Sequence, residues 1–118
     1  MKSNLLIVDD EIELTQNMKE LLEDDVQKIF LAHNGEEALE ILKSEKIDCI
    51  ISDIRMPVMD GLTMFEVAKE RGISSPFIFY TGHGSQELKD RVLELGAFDL
   101  LTKPNFINLE MAIKEALA

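Results

Sequence analysis

Cysteine, tryptophan and basic residues are scarce in this sequence of 118 residues. It has one cysteine, no tryptophan and three prolines, and its 12 Lys plus Arg stand against 23 Asp plus Glu, a formal net charge of −11. A single cysteine excludes an internal disulfide framework. The shortage of cations argues against binding to a nucleic-acid backbone, which requires a basic protein face. No apolar stretch approaches the ~20 residues that a membrane-spanning helix needs.

The sequence nevertheless has enough apolar residues to form a core. Hydrophobic residues make up 46% of the chain, whereas disordered acidic chains are poor in Ile, Leu, Val and Phe. The length predicts a single domain covering residues 1–118. Because the N-terminus leads directly into an apolar run, without the pattern of a signal peptide, we expect a cytoplasmic protein with no membrane or direct nucleic-acid partner.

Two hydrophobic periodicities alternate along the chain. Short apolar runs predict buried strands at residues 5–8, 26–32, 49–52, 77–80 and 98–101. Stripes at helical spacing predict helices around residues 14–22, 34–42, 62–71, 85–95 and 109–117. Five strands alternating with five helices indicate an α/β fold with a doubly wound parallel sheet covered on both faces. Cys49 falls in a strand-like run, where a small buried thiol is expected.

Polar residues follow four of the predicted strands. Asp9 and Asp10 come after the first, Asp53 after the third, Thr81 after the fourth and Lys103 after the fifth. In a sheet of order 2-1-3-4-5, strands one and three are neighbours, and ligands bind at their carboxyl ends. Clustered carboxylates suit Mg²⁺, a carboxylate can attack phosphorus, and an ammonium and a hydroxyl can hold phosphoryl oxygens. The sequence therefore predicts a phosphoryl-transfer site.

Each of these residues has an ordinary explanation when it is taken alone. Acidic residues after a strand commonly cap the next helix, an aspartate before a proline-containing segment is commonly a turn residue, and a lysine is usually solvated. Their joint placement at the carboxyl ends of four strands favours the functional interpretation.

The sequence resembles the receiver domain of two-component response regulators over essentially its whole length. The resemblance implies a flavodoxin-like receiver fold with strand order 2-1-3-4-5. The matching motifs are Leu6-Ile7-Val8-Asp9-Asp10-Glu11, Ala32-His33-Asn34-Gly35-Glu36-Glu37-Ala38-Leu39, Asp53-Ile54-Arg55-Met56-Pro57-Val58-Met59-Asp60-Gly61, Tyr80-Thr81-Gly82, Leu95-Gly96-Ala97-Phe98-Asp99 and Leu101-Thr102-Lys103-Pro104.

The resemblance implies a role for each acidic residue of the predicted site. Asp53 would be the phosphoacceptor and a ligand of Mg²⁺. Asp10 would bind the ion directly, and Asp9 would act mainly through water. The backbone carbonyl of Arg55 would complete the metal site.

The resemblance also implies how the phosphoryl group is handled. A sensor histidine kinase, a histidine phosphotransfer protein or a small phosphodonor would deliver it to Asp53, Lys103 would bind it, and Thr81 would be the switch hydroxyl. A face made by the fourth helix, fifth strand and fifth helix would then be remodelled. Such a domain would catalyse its own phosphorylation and dephosphorylation as a signalling protein rather than an enzyme. The Lys103–Pro104 peptide is expected to be cis.

Three positions depart from, or vary within, the family pattern. Leu100 stands where the family commonly has a Tyr or Phe that swings inward on activation, and Tyr80 is expected to be a packed strand residue. Arg55 and His83 occupy positions that influence how long the phosphoryl group persists. We expect His83 to be an exposed loop residue, although a histidine here could also act as a base.

Several functional alternatives remain open at this point. The chain could be a stand-alone receiver that contacts a downstream protein, or one cut from a longer protein with an effector segment, and it could be a monomer or a dimer. A pseudo-receiver would keep the fold and bind partners without phosphorylation. An Mg²⁺-dependent phosphatase ranks last, because Ile54 and Arg55 follow Asp53 in place of an Asp-x-Asp signature.

Overall fold

Strands and helices alternate strictly in the computed structural model, which describes residues 2–118. The strands are β1 (Asn4–Val8), β2 (Lys28–Ala32), β3 (Cys49–Ser52), β4 (Phe77–Thr81) and β5 (Asp99–Thr102). The helices are α1 (Ile12–Leu22), α2 (Gly35–Ser44), α3 (Gly61–Glu70), α4 (Gln86–Glu94) and α5 (Phe106–Leu117). None of the helices in the described part of the chain is long and apolar enough to cross a membrane.

The five strands form one parallel sheet in the order β2-β1-β3-β4-β5, which confirms the predicted topology. Val8 at the end of β1 lies opposite both Ala32 of β2 and Ser52 of β3. At the other side of the sheet, Thr81 of β4 lies opposite Thr102 of β5. The register therefore brings the carboxyl ends of these strands to one edge.

Both faces of the sheet are buried, as the continuously apolar strands predict. Side chains alternate between the faces, so Leu6 and Val8 join a core under α2, α3 and α4, whereas Leu5 and Ile7 join a second core under α1 and α5. The first core contains a ring cluster centred on Phe65 of α3, whose centroid lies 4.8 Å from that of Phe77 and 5.6 Å from that of Phe79.

Three helices begin at side chains that cap them. The Asn34 side chain accepts a hydrogen bond from the Glu37 amide (2.9 Å), and the Ser85 hydroxyl accepts one from the Leu88 amide (3.1 Å). Asp60 caps α3 by accepting from the Thr63 amide at 2.8 Å. Each cap satisfies an amide that the helix itself leaves unpaired.

The boundaries of some elements differ from those predicted. The strand predicted from residue 26 begins at Lys28, because a 3-10 turn (Glu23–Asp25) follows α1 and pairing with β1 starts where Lys28 lies opposite Asn4. The last strand ends at Thr102 instead of residue 101. These shifts move no residue of the predicted site away from the sheet edge.

Helix α4 is the most weakly embedded of the five helices. Val92 is its one buried residue, and Leu88 and Leu95 pack only partly against the core. Lys69 of α3 donates a hydrogen bond to the Leu95 carbonyl, and its Nζ lies 5.1 Å from the centroid of the Phe65 ring. Lys69 therefore links α3 to the C-terminal end of α4.

The thiol of Cys49 is expected to be inert in the folded chain. Cys49 is fully buried, and burial, together with the nearby Asp48 charge, raises its pKa from 9.0 to about 12. Three pKa units leave roughly a thousandfold less of the reactive thiolate. A disulfide reagent such as DTNB at pH 8 should modify the chain only in denaturant, and rapid labelling of the native chain would contradict this.

Candidate functional site

Polar groups are buried where β1, β3 and β4 end. Asp9, Ser52, Asp53 and Thr81 are all buried there, with only 3% of Asp9 and 1% of Thr81 exposed. Burial of ionisable and hydroxyl groups is costly unless each finds a partner. This edge of the sheet is therefore the candidate functional site.

Asp53 is held rigidly by its own backbone and its neighbours. Its amide donates to the Val8 carbonyl (2.9 Å), which continues the pairing of β1 with β3. Its carboxylate Oδ1 accepts from the Ile54 amide at 2.6 Å. A Cβ added to Gly61, the first residue of α3, would lie 2.1 Å from the Asp53 carbonyl oxygen. Only glycine lets α3 begin this close to Asp53.

Lys103 joins the ends of three strands. Its Nζ lies 2.8 Å from Asp9 Oδ2 and 2.9 Å from Asp53 Oδ2, and its backbone amide donates to the Thr81 carbonyl at 2.8 Å. The Lys103–Pro104 peptide is cis, as the resemblance implies. The structure thus brings together Asp9, Asp53, Thr81 and Lys103, which lie far apart in the sequence.

Burial and pairing shift two pKa values in the site. Burial raises the pKa of Asp9 above 3.8, although hydrogen bonds with Lys103 and the Glu11 amide oppose the shift. Burial alone would lower the pKa of Lys103, but the hydrogen bonds that Lys103 donates to Asp9 and Asp53 outweigh this effect and raise the pKa above 10.5. The Lys103 ion pairs therefore stabilise the fold at neutral pH and lose that effect in strong alkali.

The carboxylates of Asp9, Asp10 and Asp53 fit a magnesium ion. One oxygen from each can be chosen so that all lie within 4.8 Å of one another, and Asp10 is the exposed member of the group. The donor set is entirely oxygen, which Mg²⁺ prefers. Lys103 already draws oxygens of Asp9 and Asp53 to within 2.9 Å of one cationic atom. The cluster formed by these three carboxylates therefore favours binding of a cation.

Thr81 presents its hydroxyl beside the start of the loop that leads to α4. The Oγ1 atom accepts a hydrogen bond from the His83 amide at 3.2 Å. Because it is the acceptor in that bond, the hydroxyl keeps its own hydrogen to donate. The His83 side chain itself is exposed, as predicted.

The remaining predicted positions make no hydrogen-bond contact with Lys103 in the described residues. Arg55 is exposed, and within residues 2–118 its side chain makes no ion pair. Leu100 is buried in the core under α4. Tyr80 is a packed strand residue, as predicted, and its hydroxyl accepts a hydrogen bond from the Asn105 amide at 3.0 Å.

Glu11 belongs to the site, although its residue type and position in the sequence predict no separate role for it. Its Oε1 lies 3.1 Å from Lys103 Nζ. The signal available in the sequence was its position directly after Asp9 and Asp10, at the start of α1. Glutamate is a poor cap for a helix, so its side chain was free for another partner.

Comparisons with known proteins agree with this geometry. Residues 5–114 match the family model for the response regulator receiver domain. The chain belongs to the receiver domain family. Its relatives include the transcriptional regulatory protein CpxR of Escherichia coli, which is 40% identical over 104 residues, a match covering 86% of this chain and 43% of CpxR. The receiver domain thus spans less than half the length of this curated relative.

Solved receiver structures superpose closely on this one. The signal receiver domain of a LuxO repressor protein from Vibrio parahaemolyticus has a TM-score of 0.93 at 28% identity, covering 99% of this chain and 91% of that one. The response regulator TrrA from Thermotoga maritima, solved in complex with Mg²⁺-BeF, has a TM-score of 0.85 at 30% identity, covering 99% and 100%. The chain is therefore a receiver domain of two-component signal transduction.

Proposed function

We propose that Asp53 of this receiver domain accepts a phosphoryl group in a reaction that needs Mg²⁺. The observation that carries this proposal is the bridge from Lys103 Nζ to Asp9 and Asp53 at 2.8 and 2.9 Å. It brings a nucleophilic carboxylate, a second acidic side chain and a cation to one point at the carboxyl edge of the sheet. The proposal extends the receiver domain over all of residues 1–118.

The proposed metal site uses Asp9, Asp10 and Asp53, with the backbone carbonyl of Arg55 as a further ligand. When bound, Mg²⁺ would offset the repulsion between these carboxylates and an incoming anionic phosphoryl group. Asp9 and Asp53 are buried, whereas Asp10 is exposed. Asp10 can therefore receive the ion from solvent while Asp9 holds its position through the Glu11 amide, which donates to Asp9 Oδ1 at 2.9 Å.

The proposed chemistry is an in-line displacement at phosphorus. A carboxylate oxygen of Asp53 forms a bond to phosphorus, and the bond from phosphorus to a donor histidine nitrogen breaks, its electron pair staying on that nitrogen. With acetyl phosphate, the electron pair leaves on the acetate oxygen. Lys103 and the Thr81 hydroxyl donate hydrogen bonds to the phosphoryl oxygens and stabilise the charge that develops there.

The reverse of this modification is proposed to be hydrolysis in the same site. A water oxygen forms a bond to phosphorus, the bond to the Asp53 oxygen breaks, and the carboxylate and inorganic phosphate are regenerated. The exposed Arg55 and His83 stand after Asp53 and Thr81, where they would influence the access of that water.

The partners are proposed from the same chemistry. A sensor histidine kinase or a histidine phosphotransfer protein would be the phosphodonor in the cytoplasm. The output would pass to a downstream protein or to an effector segment in a longer protein, through the face formed by α4, β5 and α5, on a monomer or a dimer. Because residue 100 is a buried leucine and not a Tyr or Phe, we propose that switching here proceeds without an aromatic side chain moving inward at this position.

The test of the proposed function is the intact mass of the chain. Incubation with acetyl phosphate and Mg²⁺ should add one phosphoryl group, and Asp53→Asn or EDTA should prevent the addition. Asp60→Asn is a matched control, since Asp60 caps α3 instead of contacting Lys103, and it should still be modified. An unmodified wild-type mass would favour a pseudo-receiver.

A further inference from the structure

Glu11 occupies the cap position of α1 without capping it. Its backbone is extended, with φ −82° and ψ 95°, and its side chain makes no hydrogen bond to the helix. Its amide is fixed instead by Asp9 Oδ1. The side chain reaches Lys103, and 64% of it is exposed to solvent.

Lys103 has a carboxylate partner for each of its hydrogens. An ammonium carries three N–H donors, and Nζ lies within 3.1 Å of oxygens from Asp9, Asp53 and Glu11. A phosphoryl oxygen on Asp53 can therefore gain a hydrogen bond from Lys103 only if one of these carboxylates gives it up.

Glu11 is the partner that is most easily displaced. Its contact with Nζ is the longest of the three, and its carboxylate is exposed while those of Asp9 and Asp53 are largely buried. An exposed ion pair contributes little to stability, because water replaces the lost partner. Exchange at Glu11 leaves no unpaired charge inside the protein.

We infer that Glu11 is a positioning residue that competes with the phosphoryl group for Lys103 and thereby slows phosphorylation. The inference rests on the proposed function of Asp53. No bond to Glu11 forms or breaks: the hydrogen bond from Lys103 to Glu11 Oε1 is exchanged for one to a phosphoryl oxygen, and no proton moves. The Glu11 charge also opposes the approach of an anionic donor.

Replacing Glu11 with glutamine should therefore raise the rate of phosphorylation. With acetyl phosphate at saturating Mg²⁺, Glu11→Gln is expected to react about three- to tenfold faster than the wild type, the range expected for removing one charge near an anion in a partly solvated site. Its capture of beryllofluoride should tighten by a similar factor. Its affinity for Mg²⁺ alone should stay equal or fall slightly, because the site becomes less negative.

Two matched variants distinguish the effect of the contact between Glu11 and Lys103 from the effect of the negative charge on Glu11. In Glu11→Asp the charge remains, but the shorter carboxylate is suited to cap α1 and should leave Lys103, so it should show most of the gain. In Glu13→Gln the same charge is removed from an exposed residue that has no contact with Lys103, so its rate should stay within about twofold of the wild type.

The measurements are initial rates from intact mass, and beryllofluoride and Mg²⁺ affinities from NMR titration. A gain in Glu11→Gln and Glu11→Asp with none in Glu13→Gln supports the inference. An unchanged or slower Glu11→Gln, an equal gain in Glu13→Gln, or tighter Mg²⁺ binding by Glu11→Gln would overturn it. Failure of the wild type to accept a phosphoryl group would overturn the proposed function instead, so the two failures are distinguishable.

Discussion

Replacing Lys103 with alanine is expected to slow phosphoryl transfer to Asp53 by about 100-fold, the usual effect of losing one aligned donor from a transition state. Affinity for Mg²⁺ should be kept or should rise, because the ammonium 2.8 Å from Asp9 and 2.9 Å from Asp53 would compete with the ion for the same oxygens. Rates with acetyl phosphate and separate Mg²⁺ titrations measure the two effects.

Equal losses of rate and Mg²⁺ affinity would contradict this role for Lys103. Lys46→Ala is a matched control, because Lys46 is exposed and precedes β3 at the opposite edge of the sheet, and it should react like the wild type. Breaking a buried ion pair commonly costs about 3–5 kcal/mol of stability. Lys103→Met, which keeps an apolar stem, provides a second variant if Lys103→Ala fails to fold.

Replacing Gly61 with alanine is expected to destabilise the fold by about 3 kcal/mol, at the upper end for overpacking. The new Cβ would lie 2.1 Å from the carbonyl oxygen of Asp53, a backbone atom that no rotamer change can move. For a chain of this size the melting temperature should fall by roughly 12 °C. Thermal unfolding followed by circular dichroism measures this effect.

Gly82→Ala is the matched control for that measurement. A Cβ at Gly82 meets nothing within 4 Å, and its φ does not require glycine. Its melting temperature should stay equal or rise slightly, since alanine reduces the freedom of the unfolded chain. Similar losses in both variants would show that the close approach of α3 to Asp53 is unimportant.

The sequence was sufficient to locate most of this architecture because its signals are repeated. Each apolar run such as residues 5–8 ends in a polar residue, and in a parallel sheet all such ends meet at one edge. That rule places Lys103 near Asp9 and Asp53, from which it is separated by 94 and 50 residues. The capping of α2 by Asn34 and of α4 by Ser85 could also be predicted, because both residue types are preferred at helix N-caps.

Features that depend on the conformation of a side chain or on local backbone geometry could not be predicted from the sequence. Several rotamers are open to Glu11, and only the position of Lys103 selects the one observed. Asp60 caps α3, but an aspartate in a loop is equally compatible with a turn. Val58 has a φ of 69°, which β-branched residues rarely adopt. Pro57 before it is typical of a turn, but the residue type of Val58 does not predict a positive φ.

The shallow burial of α4 sets how little energy is needed to shift it. Burying one valine stabilises a fold by about 1.5–3 kcal/mol, and Val92 is the one α4 side chain that is buried. The hydrogen bond that the exposed Lys69 donates to the Leu95 carbonyl adds only a little to this. Substitutions at Leu88 or Leu95, which pack partly against the core, are therefore expected to change how firmly α4 is held without any change to the carboxylates.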